Sequence, residues 1–87
     1  MHYRVIGYMI MLESSGRPHV WGDGHTSYGL LQFKRSTFQY YASKYGLILN
    51  WQNPYDQIYL ADLMLRDGEE RHWKATYNRA VERAREI

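Results

Sequence analysis

One segment of this chain resists a helical reading. From Ser14 to Tyr28 the sequence carries Gly16, Gly22, Gly24 and Pro18, with no apolar period to support a regular element. On both sides of it apolar residues recur at helical spacing. The segment therefore divides the chain into one helix before it and several after it, and any fold must turn around it. Before it, Ile6, Met9, Ile10 and Glu13 fall on one face, which predicts a first helix of about three turns ending at the glutamate. The acid then shares the apolar face of that helix.

After the segment, Gly29 to Phe33 reads as a short turn or strand-like passage into a second helix near Ser36 to Tyr45. Ser36 is its expected N-cap and Gly46 its stop, with Phe38, Tyr41, Ala42 and Tyr45 as the inward stripe. Asn53 before Pro54 marks a third helix start, because Asn caps free amide donors and Pro is preorganised for the first helical position. That helix is expected to run to about Asp67, burying Ile58, Ala61, Met64 and Leu65, and to end at Gly68. A last helix from about Glu69 to the C-terminus places Trp73, Thr76, Tyr77, Ala80, Val81 and Ala84 on one stripe, opposite a charged face. The expected fold class is all-α, mainly helical, with about four helices and a glycine-rich loop or short hairpin after the first.

With 87 residues there is material for one hydrophobic core, so residues 1–87 are read as a single domain. Three Trp, nine Tyr and two Phe suit both a small core and a sugar-binding groove. No cysteine is present, which removes disulfides, thiolate metal sites and cysteine nucleophiles. The net charge of +2 suits an anionic wall and falls short of a nucleic-acid signature. Val5 to Leu12 is apolar but too short to span a membrane, and lacks the basic start and cleavage site of a signal peptide. Neither nucleic acid nor stable membrane insertion is expected.

A carboxylic acid donates a proton to a glycosidic oxygen near neutral pH when its surroundings disfavour the ionised form. Glu13 meets that requirement by position: it follows Met9, Ile10 and Leu12 and closes a helix whose C-terminal dipole disfavours negative charge. The bland alternative, a solvated glutamate at a helix end, is the commoner situation for such a position. What distinguishes Glu13 is its company. Glu13-Ser14-Ser15, Pro18, Gly29-Leu30-Leu31-Gln32 with Thr37, Pro54 with Gln57 and Ile58, and Tyr77-Asn78 follow one another in an order that resembles the soluble lytic transglycosylase catalytic domain, of the lysozyme-like superfamily. The likeness covers about Val5 to Asn78. Arg35, Gln57 and the pair Arg79-Ala80 stand where that family commonly has Pro, Asn and Ala-Gly.

The resemblance implies a lysozyme-like fold and a peptidoglycan substrate. It implies that Glu13 first protonates the bond between N-acetylmuramic acid and N-acetylglucosamine, then takes the proton of the muramyl C6 hydroxyl as that oxygen attacks the anomeric carbon. The product is a 1,6-anhydro sugar, and no cofactor is needed. Gln32 and Tyr77 would line the groove, Asn78 would support it, and Ser14 would bond the neighbouring backbone or the sugar. From the residues themselves, Tyr77 reads equally as a core tyrosine and Gln32 as a buried amide holding the loop backbone. Trp21 and Tyr28 suit stacking on sugar rings, or pinning the loop to the core. The site of action would be the bacterial cell wall, whether periplasmic, extracellular or phage-delivered.

Two rivals remain open at this stage. Glu13, Asp23 and Thr26 also resemble the phage-type lysozymes, which implies hydrolysis, with Asp23 as a second carboxylate positioning water. A wall-binding or phage structural module without catalysis is the other, and the cost of a half-buried acid argues against it. His19, His25 and Asp23 lack the spacing of a metal site on a helix, so none is expected. The glycines of Gly22 to Gly29 lack the Gly-Lys-Ser/Thr ending of a phosphate loop.

Overall fold

The computed structural model describes residues 3–86 and holds four α-helices: α1 (Tyr3–Ser14), α2 (Arg35–Lys44), α3 (Pro54–Arg66) and α4 (Lys74–Arg85). A short 3-10 turn, Glu70–Trp73, leads into α4. The expectation of about four helices holds, but the molecule is mainly helical rather than purely so. Between α1 and α2 lies an antiparallel three-stranded sheet of very short strands, β1 (Trp21–Gly22), β2 (Ser27–Tyr28) and β3 (Phe33–Lys34), in the order β1-β2-β3. Trp21 pairs with Tyr28 and Gly22 with Ser27, while Ser27 pairs with Lys34 and Tyr28 with Phe33. The short hairpin allowed after the first helix and the strand-like reading of Gly29 to Phe33 correspond to these strands, but two-residue strands leave almost no room for apolar alternation, so the sequence pattern did not place a three-stranded sheet.

α1 ends one residue beyond Glu13. It runs antiparallel to α4, and Arg4 ties its start to the other helix's end: Nε donates to the Ala84 carbonyl at 3.0 Å and Nη2 to that of Glu86 at 3.2 Å. A cation thus meets carbonyls that a helix C-terminus leaves unpaired. Ile6 and Met9 are buried, with Ile10 packed partly against the core.

α2 starts at Arg35, before the expected cap at Ser36. β3 holds Lys34 extended (φ −75°, ψ 142°), so the helix begins at the next residue and Ser36 falls in its exposed first turn. The inward stripe is as expected, with Phe38, Tyr41 and Ala42 buried and Tyr45 half-buried. Past Tyr45 the amides of Gly46 and Leu47 turn back to the Ser43 and Ala42 carbonyls.

At α3 the capping expectation holds fully. The Asn53 side-chain oxygen accepts from the amides of Tyr55 at 2.9 Å and Asp56 at 3.1 Å. Leu60, Ala61, Met64 and Leu65 face the core, while Ile58 is half-buried and Gln57 takes a fully buried place. The last helix departs from expectation at its start. At Trp73 the backbone leaves helical geometry (φ −127°, ψ 37°), where the indole reaches inward to donate to the Leu31 carbonyl at 2.9 Å. The helix proper therefore starts at Lys74 and ends at Arg85; Ile87 lies outside the described residues.

The core joins all four helices through the passage between Tyr28 and Phe33. Phe33 stands edge-on to both Phe38 and Trp73, at 5.2 Å between ring centres in each case. Side chains from elsewhere satisfy the backbone of this passage. The Trp51 indole donates to the Phe33 carbonyl at 2.9 Å, and Gln57 accepts from the Leu31 amide at 3.0 Å while donating to the carbonyls of Tyr28 and Trp51. Buried backbone that pairs with neither helix nor sheet needs such partners.

Candidate active site

Glu13 stands at the last turn of α1, half-buried, on the wall of a cleft of about 510 Å3. The hairpin contributes Asp23 and Ser27, the passage after it Gln32, α2 contributes Thr37, and the 3-10 turn His72. The floor is aromatic, from Phe33 and Trp73. The volume lies within the ~300–1,000 Å3 typical of small-molecule sites, but the lining is mainly polar, with charged and hydroxyl side chains around two aromatic rings.

The apolar surroundings expected of Glu13 are one-sided. Met9 is in the core and Ile10 rests against it, but Leu12 is exposed. Among the described residues no Lys, Arg or His forms an ion pair with the Glu13 carboxylate.

Asp23 reaches the cleft from the β1–β2 turn. That turn is built from three successive residues with positive φ: Asp23 (51°), Gly24 (63°) and His25 (71°). Asp and glycine tolerate this left-handed region better than most residues do. The Thr26 hydroxyl donates to the Asp23 backbone carbonyl at 2.7 Å, and Ser27, almost completely buried, donates its hydroxyl to Asp23 Oδ2 at 2.9 Å. One carboxylate oxygen of Asp23 is thereby held by a fixed donor.

Gln32 lines the cleft and its side chain also holds the loop backbone. Its amide nitrogen donates to the carbonyls of Val20 at 3.1 Å and Gly29 at 2.9 Å. Gly22 makes this approach feasible, since a Cβ at that position would fall 2.0 Å from Gln32 Oε1. Gly29 does the same for the Gln57 amide, whose nitrogen would lie 2.5 Å from a Cβ there. Two glycines of the non-helical region thus make room for two glutamine amides that order it.

The other residues singled out from sequence are placed elsewhere. Ser14 is buried, and its hydroxyl donates to the Ile10 carbonyl at 3.1 Å within the helix. Tyr28 is buried and hydrogen-bonds His19 through its hydroxyl; with Trp21 and Trp51 it forms an aromatic cluster that fastens the hairpin to the α2–α3 loop. Trp21 stays about 41% exposed on the outside of that cluster, with His25 against its ring. Tyr77 packs against the core from α4, Asn78 is exposed, and neither is among the residues lining the cleft. The four residues from Glu13 to Asn78 that a groove reading wanted together are therefore split by the fold: Glu13 and Gln32 meet, Tyr77 and Asn78 do not join them.

His19, His25 and Asp23 take separate partners, and among the described residues no group of three or more His, Asp or Glu side chains gathers as a metal site. No helix among them is long and apolar enough to cross a membrane. Sequence reasoning missed Ser27 and His72, and it marked Gln57 only as part of the family-like pattern, without its buried role. Ser27 had only its flanking turn residues to mark it, and His72 sits in a charged run that reads as a solvated helix start. No protein-family model matches this chain, and neither a curated protein nor a solved structure matches it.

Proposed function

We propose that this chain cleaves glycan strands of peptidoglycan between N-acetylmuramic acid and N-acetylglucosamine, as a lysozyme-like lytic transglycosylase with Glu13 as general acid and base. One observation supports this above the rest: a half-buried carboxyl group with no cationic partner among the described residues, set in the wall of a polar cleft with an aromatic floor. Glu13 gives its proton to the glycosidic oxygen as the C1–O bond breaks. It then takes the proton of the C6 hydroxyl as that oxygen bonds to C1, which restores the acid and leaves the anhydro product. A single carboxyl suffices for this route, because the substrate supplies its own nucleophile. The mild net charge of +2 favours approach to an anionic wall, and the site of action would be that wall.

Asp23 favours a second reading. Its place in the same cleft, with Oδ2 fixed by Ser27, suits a carboxylate that orients a water molecule opposite the proton donor, which would make the reaction a hydrolysis. Muropeptide mass spectrometry separates the two: 1,6-anhydro ends mark the transglycosylase, reducing ends the hydrolase.

Clearing of purified cell-wall suspensions tests the common claim. Glu13→Gln should slow clearing at least about a hundredfold, the lower end of what a general acid contributes, with thermal melting unchanged. Clearing by Glu13→Gln at the wild-type rate would remove Glu13 from the chemistry. A wild type that binds walls without clearing them would make the chain a binding module.

A further inference from the structure

His72 borders two hollows at once, the Glu13 cleft and an adjoining depression of about 380 Å3 between α2 and the 3-10 turn. Its imidazole is also tied into a chain of hydrogen bonds whose direction can be worked out. The Glu69 carboxylate is clamped by Arg71 Nη1 at 2.6 Å, with Lys44 Nζ 3.7 Å from its other oxygen. A carboxylate only accepts, so the Tyr41 hydroxyl, 3.0 Å from Glu69 Oε1, must spend its single proton there. His72 Nε2 lies 2.8 Å from that same hydroxyl. With the phenol proton already committed, Nε2 can bond only as the donor. A neutral imidazole that carries its proton on Nε2 presents a lone pair on Nδ1.

We propose that His72 is a substrate-binding residue whose Nδ1 accepts a hydrogen bond from a hydroxyl or acetamido N–H of a sugar in the Glu13 cleft, and that Tyr41 and Glu69 are positioning residues that fix its tautomer. The assignment rests on the glycan reading of the cleft. It parallels the way outer partners orient histidine ligands elsewhere, by holding one ring nitrogen so that the other is ready.

The neutral state has its own support. His72 is exposed to solvent overall, but desolvation of its ring, then the positive charge of Arg71, pull its pKa below the ordinary 6.5, against the opposing pull of Glu69. The charged and titratable groups around it are Glu69 and Arg71 on its own segment, Tyr41 on α2, and Glu13, Asp23 and Lys34 lining the same cleft. Protonation would turn Nδ1 into a donor and abolish the accepting role. Oligosaccharide affinity should therefore fall as pH drops below 6.5 through the His72 pKa.

Long-range 1H–15N correlation of the imidazoles in the full chain, titrated with the N-acetylglucosamine tetramer, tests this. At pH 7.5 His72 should show a protonated Nε2 and a bare Nδ1, and the tetramer should shift the Nδ1 resonance. Tyr41→Phe and Glu69→Gln should mix the tautomers. His72→Ala should weaken tetramer binding by about three- to tenfold, the worth of one hydrogen bond. His72→Asn, whose side-chain oxygen stands near the place of Nδ1, should retain most of the affinity and lose its acid sensitivity. A proton found on Nδ1 in the wild type overturns the proposal. So does a tetramer that moves the Trp73 indole resonance but leaves His72 Nδ1 unmoved, an outcome that spares the glycan reading. A tetramer that moves no cleft resonance overturns both. Wall clearing that survives Glu13→Gln, with His72 responding as expected, removes the catalytic role of Glu13 alone.

Discussion

The Gln57 amide makes three hydrogen bonds to the backbone, at Tyr28, Leu31 and Trp51, and Gly29 leaves the space that the amide fills. Truncating it strands three polar groups in or near the core, so Gln57→Ala should cost about 3 kcal/mol in urea unfolding, a large share of the stability of a domain this size. Gly29→Ala acts on the same contact. It pushes a methyl group into the Gln57 amide and strains a residue at φ +87°, so it too should destabilise, by about 2 kcal/mol or more. The two should not add. Once the amide is gone only the backbone strain remains, and the cost of Gly29→Ala in the Gln57→Ala background should drop towards about 1 kcal/mol. Full additivity across this cycle would show that Gly29 is needed for its own conformation rather than for Gln57. Nothing in the sequence pointed to this pair, since a glutamine on the inner face of a helix and a glycine some thirty residues earlier carry no shared local pattern.

Elements whose signals are local were legible. The Asn53-Pro54 start, the Gly46 and Gly68 stops and the 3.6-residue stripes of α1, α2 and α3 were all read from neighbours within four residues, which is the range over which helix hydrogen bonds and caps act. Asn53→Ala removes the acceptor of two free amides and should lower stability by about 1 kcal/mol, visible as a lower urea midpoint with an unchanged slope. An unaltered midpoint would mean that Pro54 alone sets the start of α3. The elements that were misread are those fixed from a distance. β3 exists because Lys34 and Phe33 pair with the hairpin, and that pairing moved the start of α2 ahead of Ser36. The break before α4 exists because the Trp73 indole bonds a carbonyl of the passage after β2.

For the molecule as a whole, ionisable side chains with shifted pKa values couple stability to pH on both the acid and the alkaline side. The Tyr45 hydroxyl is held above its ordinary pKa of 10.0 by burial, and then by its hydrogen bond to Asp67; Tyr41 is raised likewise by burial and by Glu69. A group whose folded pKa is raised contributes stability that is complete below its unfolded value and lost as pH climbs through the folded one. Melting temperature should therefore fall above about pH 10, and Tyr45→Phe should flatten that limb. His72 works in the opposite sense. Its lowered folded pKa makes its contribution complete above 6.5 and lost as pH falls through the folded value, so His72→Asn should flatten the acid limb where that group titrates. Acid and alkaline limbs insensitive to these substitutions would place the pH response in other groups. At this scale the division between sequence and tertiary structure is sharpest. The order of residues alone determined the presence of four helices, the Asn53-Pro54 start of α3, the interruption between α1 and α2 and the acid at the end of α1, because each depends on hydrogen bonds and periodicity among near neighbours. Only folding decided that Asp23 and His72 share a cleft with Glu13 while Tyr77 turns to the core. Those placements depend on how α1, the hairpin and the 3-10 turn pack around Phe33 and Trp73, and contacts between segments some ten to sixty residues apart leave no local trace in the chain.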